Sequence, residues 1–590
     1  MRKQVDPITL EVMRNAFSSI ADEMTAALVR TGYSTNIKDR RDCSCAIYTA
    51  EGDVVALSEM NTPVHLGTMH PTVKTMLETY PVSSLEPGDA LMMNMPYPAG
   101  PGHLNDIAIM SPVFVEDQLV AMVANQAHHV DMGGFAPGSM PFGVSEIYQE
   151  GLQIPTVKIR RRGVINRDVM ALVIQNVRTK FETEGDMMAQ IAANNVGEKR
   201  LQELVIKYSS ETVSEYLHEM LDYAERRMQR AISEIPPGRY EFEDYLEGDG
   251  LSDDLIRIAV VVEVQSDRIR FDFSGCDDQV LGPVNCRWPS VAACVNFVMK
   301  CVTDPELPPN AGSYRPLEII IREGSILGAI YPAAVCNSNL VLTQRLADVL
   351  FGAFFQTLPE RVLAACSGTM NLLNIGGFNS RTGRYYSYVE TYGGGQGAAH
   401  FQDGMDGVQN HMTNTRNAPV EVIESAYPFR VERYGLVPNT EGAGLYRGGM
   451  GMSREIRILS STADVTLSSD RAKIGPWGVL GGKSGMTSSC TVTSTDGSEH
   501  SYGSKFTIKV KEGDVIKITT PGGGGWGNPL ERNPKDVLWD VIEGLVSLER
   551  ASDVYGVVID LKTMEIDFEK TQNLRQSIRD NEELHPTIRM

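Results

Sequence analysis

The chain has 590 residues, 42% hydrophobic and 22% charged, the make-up of a globular protein with sizeable cores. Its formal net charge of −21 excludes nucleic acid as a natural partner, because phosphate binding calls for a basic face. No apolar run reaches membrane-spanning length, no secretory h-region follows the first methionine, and nine scattered cysteines fit reduced thiols, so a cytoplasmic protein with no membrane association is expected.

The first predicted element is a helix over residues 7–32, with Asp6 as its N-cap, Pro7 in its first turn and Gly32 as its stop. Met13, Phe17, Ile20, Met24 and Ala27 recur at spacings of three and four and give it one buried face. Strand-like runs follow at 45–48, 54–57, 90–93, 107–114 and 119–124. The loop 94–105 is rich in proline and glycine and puts His103 at a loop-to-strand junction, a common place for function. From about 165 to 233 the periodicity becomes helical, predicting a hairpin broken near Ser209 and Ser210 and ended by Pro236-Pro237-Gly238. Strands return at 240–246, 256–264 and 269–273, and helices are predicted near 289–302 and 340–357. From about 385 to 525 strands alternate with glycine turns, and the last stretch holds an apolar helix at 537–548 and a charged tail.

These elements predict a mixed α+β, multi-domain chain. An α/β metal-site domain is expected at 1–165, a helical hairpin at 166–236 and a mixed α/β domain at 237–384. A β-rich domain with glycine turns at 385–530 and a C-terminal helix and tail at 531–590 complete it.

Five of the ten histidines, His65, His70, His103, His128 and His129, fall between residues 65 and 129. Imidazoles and carboxylates converging from several loops are the usual means of holding a divalent metal. The four-ligand set the spacing favours is Asp42, His103, Asp106 and His128. His103 and Asp106 share a tight His-x-x-Asp loop, His128 arrives from the end of a neighbouring strand, and Asp42 supplies a fourth arm. One of the pair His128/His129 then faces the ion while the other packs or hydrogen-bonds behind it. Two nitrogens and two oxygens suit zinc, with manganese or iron as alternatives. The competing reading is that these histidines only satisfy backbone groups in a loop-rich core.

Cys43 and Cys45 point to one side of a strand, but no second cysteine pair completes a thiolate site, so they read as buried structural thiols. Cys294 and Cys301 read as core filler. Glu390, His400, Asp403, Asp406, His411, Glu421 and Glu424 could line a cleft or hold a second metal, but a solvated acidic loop is the favoured reading. Gly481-Gly482-Lys483-Ser484 is no phosphate-binding loop, since Trp477 stands where the first glycine is needed. No Gly-x-Ser-x-Gly elbow for a nucleophilic serine occurs.

The order of motifs resembles the hydantoinase B family: N-methylhydantoinase β subunits, the matching half of ATP-dependent 5-oxoprolinases, caprolactamase β subunits and, more distantly, acetone and acetophenone carboxylases. Its carriers include Asp6-Pro7-Ile8-Thr9, Asp42-Cys43-Ser44, His65-Leu66-Gly67-Thr68-Met69, His103 with Asp106, and Asn125-Gln126-Ala127-His128-His129. Gly282-Pro283-Val284-Asn285-Cys286, Pro309-Asn310-Ala311-Gly312, Glu390-Thr391 before Gly393, and Arg447-Gly448-Gly449 continue it along the chain.

The resemblance implies a hetero-oligomer with an actin-like, ATP-binding α subunit of the hydantoinase A type. That partner would bind ATP and phosphorylate the oxygen of a small-molecule cyclic amide. This subunit would hold the metal on Asp42, His103, Asp106 and His128 and complete ring opening, with His129 or Asp131 carrying protons. In the carboxylase branch the same architecture would join an activated ketone to bicarbonate, and a third reading is a scaffold that only stabilises the α subunit. Relatives commonly carry Asn-Asp-Pro-Tyr and then Gly-Gly-Thr-His in the loop that here reads Asn94-Met95-Pro96-Tyr97 to Gly102-His103, so loop shape and substrate preference transfer less directly.

Overall fold

The computed structural model describes residues 6–584. The N-terminal segment 1–5, read above as carrying no leader, and the end of the charged tail at 585–590 lie outside the described residues. Helix α1 (Pro7–Thr31) forms as its caps dictate: the Asp6 carboxylate accepts from the Thr9 N–H at 3.0 Å, and Gly32 follows its last turn. Met13, Phe17, Ile20, Met24 and Leu28 are buried along one stripe, each contributing about 1.5–3 kcal/mol by leaving water. Leu28 takes the place expected of Ala27, which is only half-buried.

After the short helix α2 (Thr35–Lys38) come β1 (Cys43–Thr49), β2 (Val54–Leu57), helix α3 (Met69–Thr79), β3 (Ala90–Met93), β4 (Asp106–Val115), β5 (Gln118–His128), β6 (Val157–Arg161) and β7 (Val164–Ile165). They make a seven-stranded antiparallel sheet in the order β2-β1-β5-β4-β3-β6-β7. The central strands are buried almost throughout, because α1, α5 (Lys180–Tyr208) and α6 (Ser210–Ser233) pack on the sheet, with α4 (Arg167–Gln175) against α5. The hairpin breaks at Ser209, which adopts a φ of 75° and caps α6. One core runs from Met13 through Ala127 to Leu221, so the hairpin expected at 166–236 shares its apolar face with the first sheet.

Strands β8 (Gly238–Glu247), β9 (Leu255–Val264) and β10 (Ile269–Asp272) are antiparallel, and β11 (Leu317–Ile320) joins β10 in parallel. Helix α7 (Trp288–Val302), the short α8 (Ala311–Tyr314) and α9 (Ser338–Phe355) follow the chain here. From Ser338 to Phe354 α9 is buried on all sides, the mark of a central helix. The last half holds β12 (Leu372–Asn379), β13 (Arg384–Thr391), helix α10 (Val420–Ala426), β14 (Phe429–Leu436), β15 (Met452–Ile458), β16 (Thr462–Ser468), β17 (Ser489–Thr493), β18 (Glu499–Tyr502), β19 (Lys505–Lys511) and β20 (Val515–Thr519). They form two sheets, β13-β12-β16-β19 and β14-β15-β20-β17-β18, around a shared core from Leu373 to Ile518.

The glycine clusters near 393, 448 and 522 do more than turn the chain. Gly523 donates to the Gly449 carbonyl at 2.9 Å and Gly449 to the Gln396 carbonyl at 2.8 Å. A side chain at Gly523 or Gly448 would run into neighbouring carbonyls, so glycine is required by close backbone packing. The helix expected at 537–548 is two, Pro534–Ile542 and Leu548–Asp553, because Gly544 breaks it at a φ of 70° and Ser547 caps the second. Among the described residues no helix is long and apolar enough to cross a membrane. All nine cysteines are free thiols, and Cys301, expected in the core, is exposed.

Candidate metal centre

Three strands of the first sheet end at one place. Asp42 immediately precedes β1, Asp106 opens β4 and His128 closes β5, with Asp106 and His128 directly opposite in register. The His128 N–H donates to the Asp42 carbonyl at 3.1 Å. The His-x-x-Asp turn is closed by Asp106 N–H donating to the His103 carbonyl at 3.2 Å, which puts both side chains on one side.

The result is a buried knot of acceptors. His103 Nε2 lies 3.2 Å from Asp106 Oδ1, His128 Nδ1 lies 3.3 Å from the same oxygen, and the two imidazole nitrogens are 3.1 Å apart. His103 Nδ1 faces the Cys336 carbonyl at 2.9 Å, which accepts only from an N–H, so whenever the ring is neutral its Nε2 lone pair turns inward. That carbonyl is held in turn by Glu150, whose Oε1 accepts from the N–H groups of Val335 at 2.6 Å and Cys336 at 2.8 Å. Burial pushes the Glu150 carboxyl up to about 7.

Asp106 Oδ1 and His128 Nε2 are buried with no hydrogen-bond partner. Asp106 Oδ2 is held by Gln126 Nε2 at 3.1 Å and faces His65 Nε2 at 3.5 Å. Burial works against charge on all three central groups. The Asp106 carboxylate still holds His103 up at about 9, the His103 and His65 imidazoles take Asp106 well below its usual range, and burial pushes His128 down.

The donor set fits a divalent metal. Ligands about 2.0–2.2 Å from an ion sit about 3.0–3.5 Å from one another, depending on geometry. The three observed edges span 3.1–3.3 Å, and the atoms are one nitrogen from each of two imidazoles and an unpartnered carboxylate oxygen. Asp42 lines the same small cavity, about 30 Å³, where its Oδ1 lies 3.4 Å from the Thr62 hydroxyl; it stands back from the three-atom knot. Such a volume holds one or two water-sized groups.

Two residues expected to carry protons face elsewhere. Along β5, period two puts Gln126 and His128 on one side, and His129, one residue on, turns to the other. There His129 Nε2 meets Gln190 Oε1 of α5 at 2.9 Å, and burial pushes its pKa down. Asp131 is engaged by Arg178 Nη1 at 3.1 Å and by the N–H groups of Gly133, Gly138 and Arg178. Neither lines the cavity. His70 is outside it as well, 3.9 Å from Asp53, with its pKa pushed down to about 4 by burial.

Spacing did not single out His65 or Gln126. Gln126 could have been found, since it stands two residues before His128 and therefore on the same strand face. His65 reaches the knot from a short turn, Pro63–Leu66, with its Nδ1 on the Ser44 hydroxyl at 2.8 Å; only packing brings it there.

The residues read as a solvated acidic loop are largely built into ion pairs. Asp403 binds Arg532 at 2.7 Å, Asp406 binds Arg447 at 2.8 Å, and Glu390 is fully buried near Arg454. His411 joins Asp348 and Cys366 in a second cluster.

This chain belongs to the Hydantoinase B/oxoprolinase family, whose model matches residues 6–529. It is 34% identical to the B-type chain of a putative D-/L-hydantoinase from a Pseudomonas species (strain NS671), over 97% of this chain and 98% of that one. It is also 34% identical to 5-oxoprolinase 1 of Arabidopsis thaliana, over 89% of this chain and 42% of that longer protein. The crystal structure of ATP-dependent caprolactamase from Pseudomonas jessenii superposes with a TM-score of 0.90 at 29% identity, covering 97% of this chain and all of that one. The mixed α+β, multi-sheet fold is therefore the caprolactamase-like one.

Proposed function

We propose that this chain is the metal-binding subunit of an ATP-dependent hydrolase of cyclic amides, of the hydantoin, lactam or 5-oxoproline type. The observation that carries the reading is the convergence of His103 Nε2, His128 Nδ1 and Asp106 Oδ1 within 3.1–3.3 Å with no lysine or arginine among them. These three are the proposed ligands, with Asp42 as the fourth group at the cavity wall. The donor set suits zinc best, with manganese or iron as alternatives, and such an ion would supply water acidic enough to be ionised near neutral pH.

The protein's own residues then have definable tasks. The Cys336 carbonyl fixes the His103 tautomer, while Gln126 and His65 hold Asp106 with one oxygen turned inward. Asp42 Oδ1, the cavity carboxylate outside the knot, is placed to take a proton from an attacking water. An actin-like α subunit would bind ATP and phosphorylate the amide oxygen, which makes an unreactive ring open readily.

The test is to co-express the chain with its genomic neighbour and assay ATP-dependent opening of hydantoins, lactams and 5-oxoproline. Activity should need ATP, the second subunit and stoichiometric metal. Labelled bicarbonate carbon in the product would instead mark a carboxylase, and full complex assembly without bound metal would mark a scaffold.

A further inference from the structure

We infer that the cavity wall opposite the metal ligands is an oxyanion site, built from the hydroxyls of Thr391, Thr413 and Thr415 and charged from behind by Arg40. This rests on the proposed function for the identity of the anion's neighbour, the metal, but the wall itself stands on separate observations.

Arg40 is 1% exposed, and its guanidinium meets only neutral oxygens. It donates to Asn36 Oδ1, to the Val389 carbonyl at 2.7 Å, to Thr391 Oγ1 at 3.1 Å and, more weakly, to Thr415 Oγ1 at 3.5 Å. Its Nε has no partner, and among the described residues no carboxylate pairs with it. Buried charges are ordinarily paired. Every other fully buried arginine of large volume here, Arg345, Arg454 and Arg471, stands beside a carboxylate. Among the described residues Arg40 is thus the one of these four with no carboxylate in direct contact, and its charge acts on the neutral groups it touches, the Thr391 and Thr415 hydroxyls among them.

The hydroxyls carry that polarity into the cavity. A hydroxyl has one proton and two lone pairs. Thr391 Oγ1 accepts from Arg40 and from Gln409 Nε2 at 3.2 Å, so its proton goes to Thr415 Oγ1 at 2.8 Å. Thr415 Oγ1, accepting from Thr391 and Arg40, must pass its own proton on, to Thr413 Oγ1 at 3.4 Å or into the cavity. All three threonines line that cavity. The near face thus presents lone pairs, which seek a cation, and the far face presents protons backed by a positive charge, which seek an anion.

The void of about 30 Å³ takes a single oxygen-sized group beside an ion. A negatively charged oxygen of a carboxylate, of a phosphoryl group or of the tetrahedral adduct at an amide carbon has the required chemistry. Asn61, Pro63 and Asn414, interleaved with cavity residues Thr62, Thr413 and Thr415, line a neighbouring cleft of about 410 Å³ that has room for the body of a small ring.

The experiment titrates the full chain, zinc-loaded and metal-free, with formate and with inorganic phosphate by calorimetry, one probe for each anion source. At least one of them should bind saturably, once per chain. Thr391→Val with Thr415→Val, near-isosteric and lacking the hydroxyls, should weaken that binding about tenfold or more while zinc content stays close to that of the parent, with a fall in Tm because the buried Arg40 loses two acceptors. Gln409→Leu, which keeps both hydroxyls but frees a lone pair on Thr391, should weaken it in the same direction and guards against misfolding of the double variant. Parent-like anion affinity in these variants, or no saturable binding of either anion to the parent, overturns the inference. Failure to bind zinc would sink the metal reading alone, because the metal-free titrations still decide this one.

Discussion

His103, Asp106 and His128 gather where β4 begins and β5 ends, and Asp348, Cys366 and His411 gather at α9. In each trio the candidate ligand atoms lie within 4.8 Å of one another, and each trio holds a buried carboxylate. The difference lies in what surrounds the carboxylate. Asp348 Oδ2 accepts from Arg471 at 3.0 Å, and its Oδ1 accepts from His411 at 3.0 Å and from the Cys366 N–H at 3.2 Å. Arg471 reaches Asp244 as well, and Arg345 and Lys505 close the network through Asp470. The negative charge there is already matched by guanidinium groups. Asp106 meets only imidazoles and an amide, and one oxygen has no hydrogen bond at all. Counting donors does not separate the two clusters; following the charge favours the first as the proposed metal site.

The largest effect that would test this contrast comes from Asp106→Asn, which keeps volume and removes charge. Metal affinity should fall more than about a hundredfold, beyond what loss of a supporting contact costs, and ATP-dependent ring opening should vanish with it. Asp348→Asn should leave metal content, read by elemental analysis of dialysed protein, unchanged; metal loss there would erase the distinction. Next comes Arg471→Met, which strips a partner from two buried carboxylates and should cost about 3–5 kcal/mol in denaturant unfolding with metal content intact.

Gln126→Leu should act on the first cluster alone, lowering metal affinity about 10–100-fold by releasing Asp106 Oδ2. The smallest effect is on pH dependence. Burial alone would lower His411, but the Cys366 sulfur and the Asp348 carboxylate hold it up at about 10. A raised folded-state pKa stabilises the protein fully below the unfolded value, about 6.5, and that contribution is lost as pH climbs through about 10. Tm should therefore fall across that window, and His411→Gln should flatten the fall.

Much of the centre was legible because the relevant relations are local. A tight turn fixes His103 and Asp106 on one side, and strand periodicity separates His128 from His129. The same periodicity leaves His129 facing α5, which makes the proton-carrying role expected of it a poor match for its position. Asp131 is the other expected proton carrier, yet its carboxylate organises the turn from Gly133 to Gly138. Arg40 gave no signal at all, since an arginine in the charged run from Lys38 to Asp42 looks like any solvated residue until its burial is seen.

Sequence by itself determined the elements: the capped first helix, the hairpin hinged at Ser209, the strand runs and the His-x-x-Asp turn all follow from residue preferences acting over a few positions. It also determined the family, through motifs kept in order along the chain. Tertiary structure alone decided which further side chains share the cavity, bringing His65 and the threonines near 391–415 around the same knot. The physical reason is that propensity and periodicity act within one element, whereas burial and charge compensation depend on which elements pack together.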